Sequence, residues 1–294
     1  MNENFKAGFI NIIGKPNAGK STLLNLLVGE RLAAITAKAQ TTRRRILGIV
    51  TTDDYQIIYS DTPGIIDAPE YKLHEWMNAQ IQTALEDADI ILYITTPGEP
   101  KENNPTIEKL KKTNTPVFIV INKTDLVEEL KILEEIKSWD AVLPGKKIIP
   151  VSALKNKNIS TLQKNMITDL PVHPPYYETD ELTDQTERAI VAEMVREKIL
   201  EQYQQEIPYS AEVVVEEFKE KETITVIRAV IYVTKDSHKN IIIGNKGSAI
   251  KSLGTGARKN MEAWLGRKVF LELFVKVKEN WKNDDRMLKH FGYE

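Results

Sequence analysis

Gly14-Lys15-Pro16-Asn17-Ala18-Gly19-Lys20-Ser21 is a complete G-x-x-x-x-G-K-S, and its neighbours decide how it is read. Before it, Gly8-Phe9-Ile10-Asn11-Ile12-Ile13-Gly14 is a short apolar run ending in glycine, the pattern of a buried parallel strand. After it, Thr22-Leu23-Leu24-Asn25-Leu26-Leu27 carries apolar helical periodicity. A glycine-rich turn between strand and helix can aim its backbone N–H groups inward at phosphate oxygens, and the helix adds the positive end of its dipole. Lys20 is then placed to reach the β and γ phosphates, and the Ser21 hydroxyl to ligate Mg²⁺.

Further apolar runs follow at 55–59, 90–94, 117–121 and 148–151, separated by stretches of helical spacing. In one of these, Leu73, Trp76, Met77, Ile81, Ala84 and Leu85 recur at offsets that place an apolar stripe on one helix face. Strands and helices alternating to about residue 170 predict an α/β fold with a mostly parallel sheet and helices on both faces. Ligands of such sheets bind beyond the carboxyl ends of the strands.

Three later motifs each follow a predicted strand. Asp61-Thr62-Pro63-Gly64 sets a carboxylate at a strand tip for the Mg²⁺ shell and a Gly64 N–H for a γ-phosphate. In Asn122-Lys123-Thr124-Asp125, the Asp125 carboxylate can accept from both N1–H and the 2-amino group of guanine. Adenine offers neither donor, and an unpaired buried carboxylate is costly, so the pattern selects GTP over ATP. Ser152-Ala153-Leu154 can present a backbone N–H to guanine O6. Between the phosphate loop and Asp61 lies Gln40-Thr41-Thr42-Arg43-Arg44-Arg45, where Thr42, or alternatively Thr41, can complete the Mg²⁺ shell while a γ-phosphate is present, as in a switch.

The order GKPNAGKS, QTTRR, DTPG, NKTD, SAL resembles the translation-factor-like branch of small GTPases over residues 7–170. The position after DTPG is Ile65, where Ras-like proteins place a water-orienting glutamine, so a slow intrinsic rate is expected. In GTPases lacking that glutamine, an asparagine at the position of Asn17 helps to hold K⁺ against the β and γ phosphates. The resemblance therefore implies a catalytic set of Lys20, Thr42, Asp61, Gly64 and Asn17, with GTP/GDP, Mg²⁺ and K⁺ as cofactors. Ser21, Thr42 and Asp61 are the expected metal ligands, and the nucleotide loops are Gly14–Ser21, Asp61–Ile65, Asn122–Asp125 and Ser152–Leu154.

Charge divides the chain. Its 40 Lys+Arg and 42 Asp+Glu give a net charge of −2, yet residues 221–294 hold 15 basic and 8 acidic side chains, so 15 − 8 = +7, leaving −9 for the first 220. A basic unit on an acidic protein points to a polyanion. The 294 residues suggest two domains, and the absence of cysteine excludes disulfides, thiolate catalysis and Cys-containing zinc sites. The start Met1–Lys6 has no basic-then-apolar layout, and no run approaches the ~18–20 residues of a membrane span, so a cytoplasmic protein is expected. The four His residues lack ligand spacing.

The proline-rich, then acidic, stretch Leu170–Asp180 marks a boundary, which divides the chain into 1–170, a linker at 171–183, and 184–294. Beyond it the predicted order is helix, strand, strand, helix, helix, strand, with a short tail helix at 283–290 capped by Asn283 or Asp284. Ile241-Ile242-Ile243-Gly244-Asn245-Lys246-Gly247-Ser248-Ala249-Ile250-Lys251 resembles the core of a type II KH RNA-binding domain, in which a G-x-x-G loop between two helices lets a nucleic-acid backbone approach. Ile243, Gly244, Asn245, Lys246, Gly247, Lys251 and Arg258 are the expected RNA-binding residues.

A GTPase followed by a KH domain is similar to the Era family of bacterial ribosome-assembly GTPases. Ile207-Pro208-Tyr209-Ser210, the segment 228–236, Ala257-Arg258-Lys259 and the segment 271–281 extend the likeness along the whole chain. That resemblance implies GTP hydrolysis, binding near the 3′ end of small-subunit (16S-type) ribosomal RNA on the 30S-type subunit, a monomer, and peripheral association with the inner membrane face. The alternatives are action on another RNA and action as a membrane-associated regulatory GTPase.

Overall fold

The computed structural model describes residues 4–36, 38, 40–66, 68–102 and 104–293. Packing divides the chain into two units, one of Met1–Ala33, Thr42–Ile65 and Asn78–Asp184, the other of Ala34–Thr41, Ile66–Met77 and Gln185–Glu294.

In chain order the first eleven elements are β1 (Lys6–Gly14), α1 (Lys20–Val28), β2 (Ile46–Thr51), β3 (Tyr55–Asp61), α2 (Lys72–Glu86), β4 (Ile90–Thr95), α3 (Pro105–Lys112), β5 (Val117–Ile121), α4 (Glu129–Val142), β6 (Lys147–Pro150) and α5 (Ile159–Asp169). The six strands form one sheet in the order β2-β3-β1-β4-β5-β6. Strand β2 runs antiparallel to β3, and the other neighbours pair in parallel. Every residue of β4 and β5 is buried, as expected where helices cover both faces, and this is why these strands read as continuous apolar runs. Ile13, Ile91, Tyr93, Ile119 and Trp139 belong to the core on one side of this sheet. Helix α3 starts at Pro105, with Asn104 accepting from the Thr106 and Ile107 N–H groups.

The proline-rich stretch finds its backbone partners on the first unit. Val172 bridges Lys6, the Gln56 side chain accepts from the Tyr176 and Tyr177 N–H groups at 2.7 and 3.0 Å, and Leu182 O accepts from Ile49 N at 2.8 Å.

The remaining elements are α6 (Glu187–Gln202), α7 (Ile207–Ser210), β7 (Glu212–Glu220), β8 (Ile224–Val233), α8 (Asp236–Ile243), α9 (Ser248–Leu265), β9 (Lys268–Val277) and α10 (Asp285–His290). Strand β8 lies between antiparallel β7 and parallel β9. Leu253, Ala257 and Met261, four residues apart, form the buried stripe of α9. Trp281 is fully buried, donates its indole N–H to Ser210 O at 3.0 Å, and clusters with Leu73, Met77, Leu288 and Phe291. Asp284, rather than Asn283, caps α10, accepting from the Arg286 and Met287 N–H groups. Among the described residues no helix is long and apolar enough to cross a membrane.

Candidate functional site

The carboxyl ends of β1, β3, β5 and β6 carry the four loops singled out by the sequence. At the first, Gly19 takes a left-handed φ of 99°, and a Cβ there would lie 2.2 Å from Asn122 Nδ2, so only glycine lets the two loops close this tightly. Lys20 is buried and donates to the carbonyls of Gly14 and Lys15 at 3.1 and 3.0 Å, which folds its ammonium over the loop. Burial lowers its pKa, partly offset by the negative charges of Asp61 and Glu99. Asn17 is exposed and also left-handed, at φ 63°. Gly64 approaches so closely that a Cβ would lie 2.8 Å from Pro16 Cγ, which sets the Asp61–Gly64 turn against the phosphate loop.

Three oxygens converge beside Lys20. Asp61 Oδ2 accepts from Ser21 Oγ at 2.6 Å and from Thr42 Oγ1 at 3.0 Å, and the two hydroxyls are 3.0 Å apart. Asp61 is fully buried, its Oδ1 has no hydrogen-bond partner among the described residues, and burial raises its pKa despite Lys20 and the two hydroxyl donors. A buried carboxylate with a free oxygen and two hydroxyls suits a hard divalent cation that completes its shell with phosphate and water. The Thr41 hydroxyl instead donates to Lys38 O at 2.6 Å, within its own turn. Arg45 is engaged by Ser60, Asn11 and Asp87, so this member of the arginine run ties strands together. The Ile65 side chain packs against the sheet core.

At the other end of the loop system, Asn122 Nδ2 donates to Ala18 O at 2.8 Å and its Oδ1 accepts from Ala153 N at 3.0 Å. Ser152 Oγ donates to Asp125 Oδ1 at 2.5 Å, which holds the Asp125 pKa below the usual carboxylate range. Lys123 is left-handed and Thr124 N donates to Val151 O, so the β5 and β6 loops are braced on each other with Asp125 presented at the surface. Leu154 is exposed.

In the second unit, the loop Gly244–Gly247 joins α8 to α9. Gly244 has φ 71° and no room for a side chain, a Cβ there lying 2.6 Å from that of Ala249. Gly247 has φ 79° with nothing within 4 Å of a Cβ, so this face of the loop is open. Asn245 and Lys246 are exposed and Ile243 is half-buried. Alongside, α9 and β9 form a groove of about 490 Å³, which takes Lys251 and Arg258 from the helix and Phe270 and Leu273 from the strand. Phe270 lies outside the set expected from sequence. It occupies the outward phase of β9, half exposed, and the signal for it is a large aromatic at a position where an alternating strand puts polar residues.

A phosphate loop braced on the Asp61–Gly64 and Asn122–Asp125 loops at the carboxyl ends of a mostly parallel sheet, followed by a helix–GxxG–helix unit with an open groove, defines the class: a P-loop GTPase that carries a KH domain. Residues 9–123 match the family model for 50S ribosome-binding GTPases and residues 206–282 that for KH domains. The chain is similar to GTPase Era of Ruminiclostridium cellulolyticum, 44% identical across 99% of this chain and 98% of that protein. It is 45% identical to GTPase Era of Syntrophus aciditrophicus, over 98% of this chain and 95% of that protein. Among solved structures, a point variant of Aquifex aeolicus Era bound to GDP·AlF₄⁻ superposes with a TM-score of 0.92 at 38% identity, covering 98% of this chain and 99% of that one. Era in complex with MgGDPNP and nucleotides 1506–1542 of 16S ribosomal RNA gives 0.91, with the same identity and coverage. The chain belongs to the Era family of GTPases.

Proposed function

We propose that this chain hydrolyses GTP to GDP and phosphate and, under control of that nucleotide, binds single-stranded RNA near the 3′ end of small-subunit ribosomal RNA during subunit assembly. The observation that carries this reading is the presence in one chain of a braced guanine-type loop system and an open groove beside a GxxG loop. The full-length likeness to an Era structure holding 16S ribosomal RNA supports the choice of RNA.

Lys20 holds the β and γ phosphates, Gly64 N–H meets the γ-phosphate, and Asp125 reads the base. Ser21, Thr42 and Asp61 hold Mg²⁺, whose charge offsets that developing on the transferred phosphoryl group. With Ile65 committed to the core, the position after Gly64 supplies no polar group to orient the attacking water, so intrinsic turnover is slow. Asn17 would help to hold K⁺, whose charge would add to that of Mg²⁺ in offsetting the phosphate charge. Gly244–Gly247 and Lys246 meet the RNA backbone, while Lys251, Arg258 and Phe270 line the course of unpaired bases. The protein works in the cytoplasm, with a peripheral membrane visit as a further expectation of the family.

Crosslinking in cells followed by sequencing of the bound RNA tests this reading. A footprint at the 3′ end of small-subunit ribosomal RNA is expected; a dominant footprint on another RNA would replace the proposed target.

A further inference from the structure

Helix α6 carries a further set of hydrogen bonds outside the nucleotide loops and the groove. In its middle, the fully buried Arg196 donates to the carbonyls of Gln40, at 3.1 Å, and of Thr41, and is itself held by Glu193. Glu197, next along, accepts from Ile35 N at 3.0 Å. At the carboxyl end, Lys38 donates to the backbone carbonyl of Tyr203. Together these bonds fix Ile35, Lys38, Gln40 and Thr41 along the last turns of the helix. Thr42, the proposed Mg²⁺ ligand, is the next residue in the chain.

The same carboxyl end also holds the RNA loop. Tyr203 Oη donates to Ile242 O at 2.9 Å in a buried bond, which caps a last-turn carbonyl of α8 two residues before Gly244. Gln202 Nε2 donates to Ala249 O at 3.1 Å, two residues after Gly247. The GxxG loop is therefore held on both flanks by the consecutive residues Gln202 and Tyr203. Burial pushes the Tyr203 phenol up to about 12, so it stays a donor at any working pH.

We infer that Tyr203 is a positioning residue that couples the peptide preceding Thr42, through Lys38 and its own carbonyl, to the GxxG loop, through its hydroxyl. The inference rests on the functional reading above and deepens it to a regulatory link. A γ-phosphate that engages Thr42 fixes the Thr41 and Gln40 carbonyls on Arg196 and Lys38 on the end of α6. The helix end then holds Ile242 and Ala249 in the spacing that RNA requires, and the RNA meets a loop already ordered. Linkage makes the effect reciprocal: RNA on the loop favours the GTP-bound arrangement of Lys38, Gln40 and Thr41.

The test uses the full chain and a single-stranded oligonucleotide of the small-subunit ribosomal RNA 3′ terminus, with affinity measured in GDP and in a non-hydrolysable GTP analogue. Wild type is expected to bind at least about 5-fold tighter with the analogue. Tyr203→Phe, which removes one hydroxyl, and Lys38→Met, which leaves Tyr203 intact, should each bring the two affinities within about 2-fold. The double variant should lose no more than either single one, because all three break one link. GDP affinity without RNA should be unchanged in both. If Tyr203→Phe weakens RNA equally in the two states and preserves the ratio, the tyrosine is merely structural and the inference fails. Additive losses in the double variant would also overturn it. A wild-type chain that binds no RNA would overturn the functional reading itself, and the link with it.

Discussion

Asn122 Nδ2 donates to the Ala18 carbonyl at 2.8 Å, so one side chain ties the base-reading loop to the phosphate loop. The same carboxamide accepts from Ala153 N, which makes Asn122 a strap across three loops that touch different parts of the nucleotide. Asn122→Ala leaves the Ala18 carbonyl and the Ala153 N–H without that partner, at a cost of about 1–3 kcal/mol. GTP affinity should fall by about 5- to 150-fold at 1.4 kcal/mol per decade, as read by titration with a fluorescent GTP analogue. A change under twofold would mean that the loops hold themselves.

Asp125→Asn exchanges a side chain that only accepts for one with an acceptor oxygen and a donating NH₂. GTP binding should weaken and xanthosine triphosphate, with oxygen at position 2, should gain, in a competition assay. Unchanged preference for GTP would remove Asp125 from the role of base reader.

Asp61 gives a pH signature. Its pKa is raised by burial, so in the nucleotide-free fold it takes up a proton above the ordinary aspartate value of about 3.9. That group favours the unliganded fold on the acid side and loses the contribution as pH rises through the raised value. Cation binding requires the ionised form, so the Mg²⁺-dependent gain in analogue affinity should decline on acidification before an ordinary aspartate would protonate. Asp61→Asn should leave a small, pH-independent Mg²⁺ effect. An equally steep pH dependence in that variant would place the titration elsewhere.

Asn17 occupies a left-handed, exposed position in the phosphate loop. Asn17→Gly keeps that backbone conformation and deletes the carboxamide. Turnover by the parent is expected to be faster in KCl than in NaCl at equal ionic strength, and the difference should vanish in the variant. Equal parental rates in the two salts would exclude an alkali-cation role.

Legibility in the sequence follows burial. Strands β4 and β5, covered on both faces, stand out as unbroken apolar runs, whereas β2 pairs on one side and its run is interrupted by Gly48. The stripe from Leu73 to Leu85 identifies a helix but not that Leu73 and Met77 serve the Trp281 cluster while Ile81 serves the sheet core. Periodicity reports which face is apolar and carries no label for the partner. Of the two adjacent threonines, Thr42, the first choice from sequence, turns its hydroxyl toward Asp61 while Thr41 turns back to Lys38, a difference in side-chain direction that spacing does not encode. The groove is half legible: Lys251 and Arg258 show through the charge on α9, and Phe270 is hidden because it lies on β9, far along the chain from Gly244.

Gly247→Asp probes most directly whether this GTPase is an RNA-binding protein. Gly247 has open space where a side chain would stand, so an aspartate there would put negative charge at the loop face with no internal clash, at the cost of a strained φ of 79°. The decisive measurement is the affinity of full-length parent and variant for the single-stranded 3′ terminus of small-subunit ribosomal RNA, with GTP binding followed in parallel. The expected result is RNA affinity reduced by at least about tenfold, a salt slope that marks counterion release in the parent, and GTP binding unaltered. Parental RNA affinity in Gly247→Asp would contradict the account.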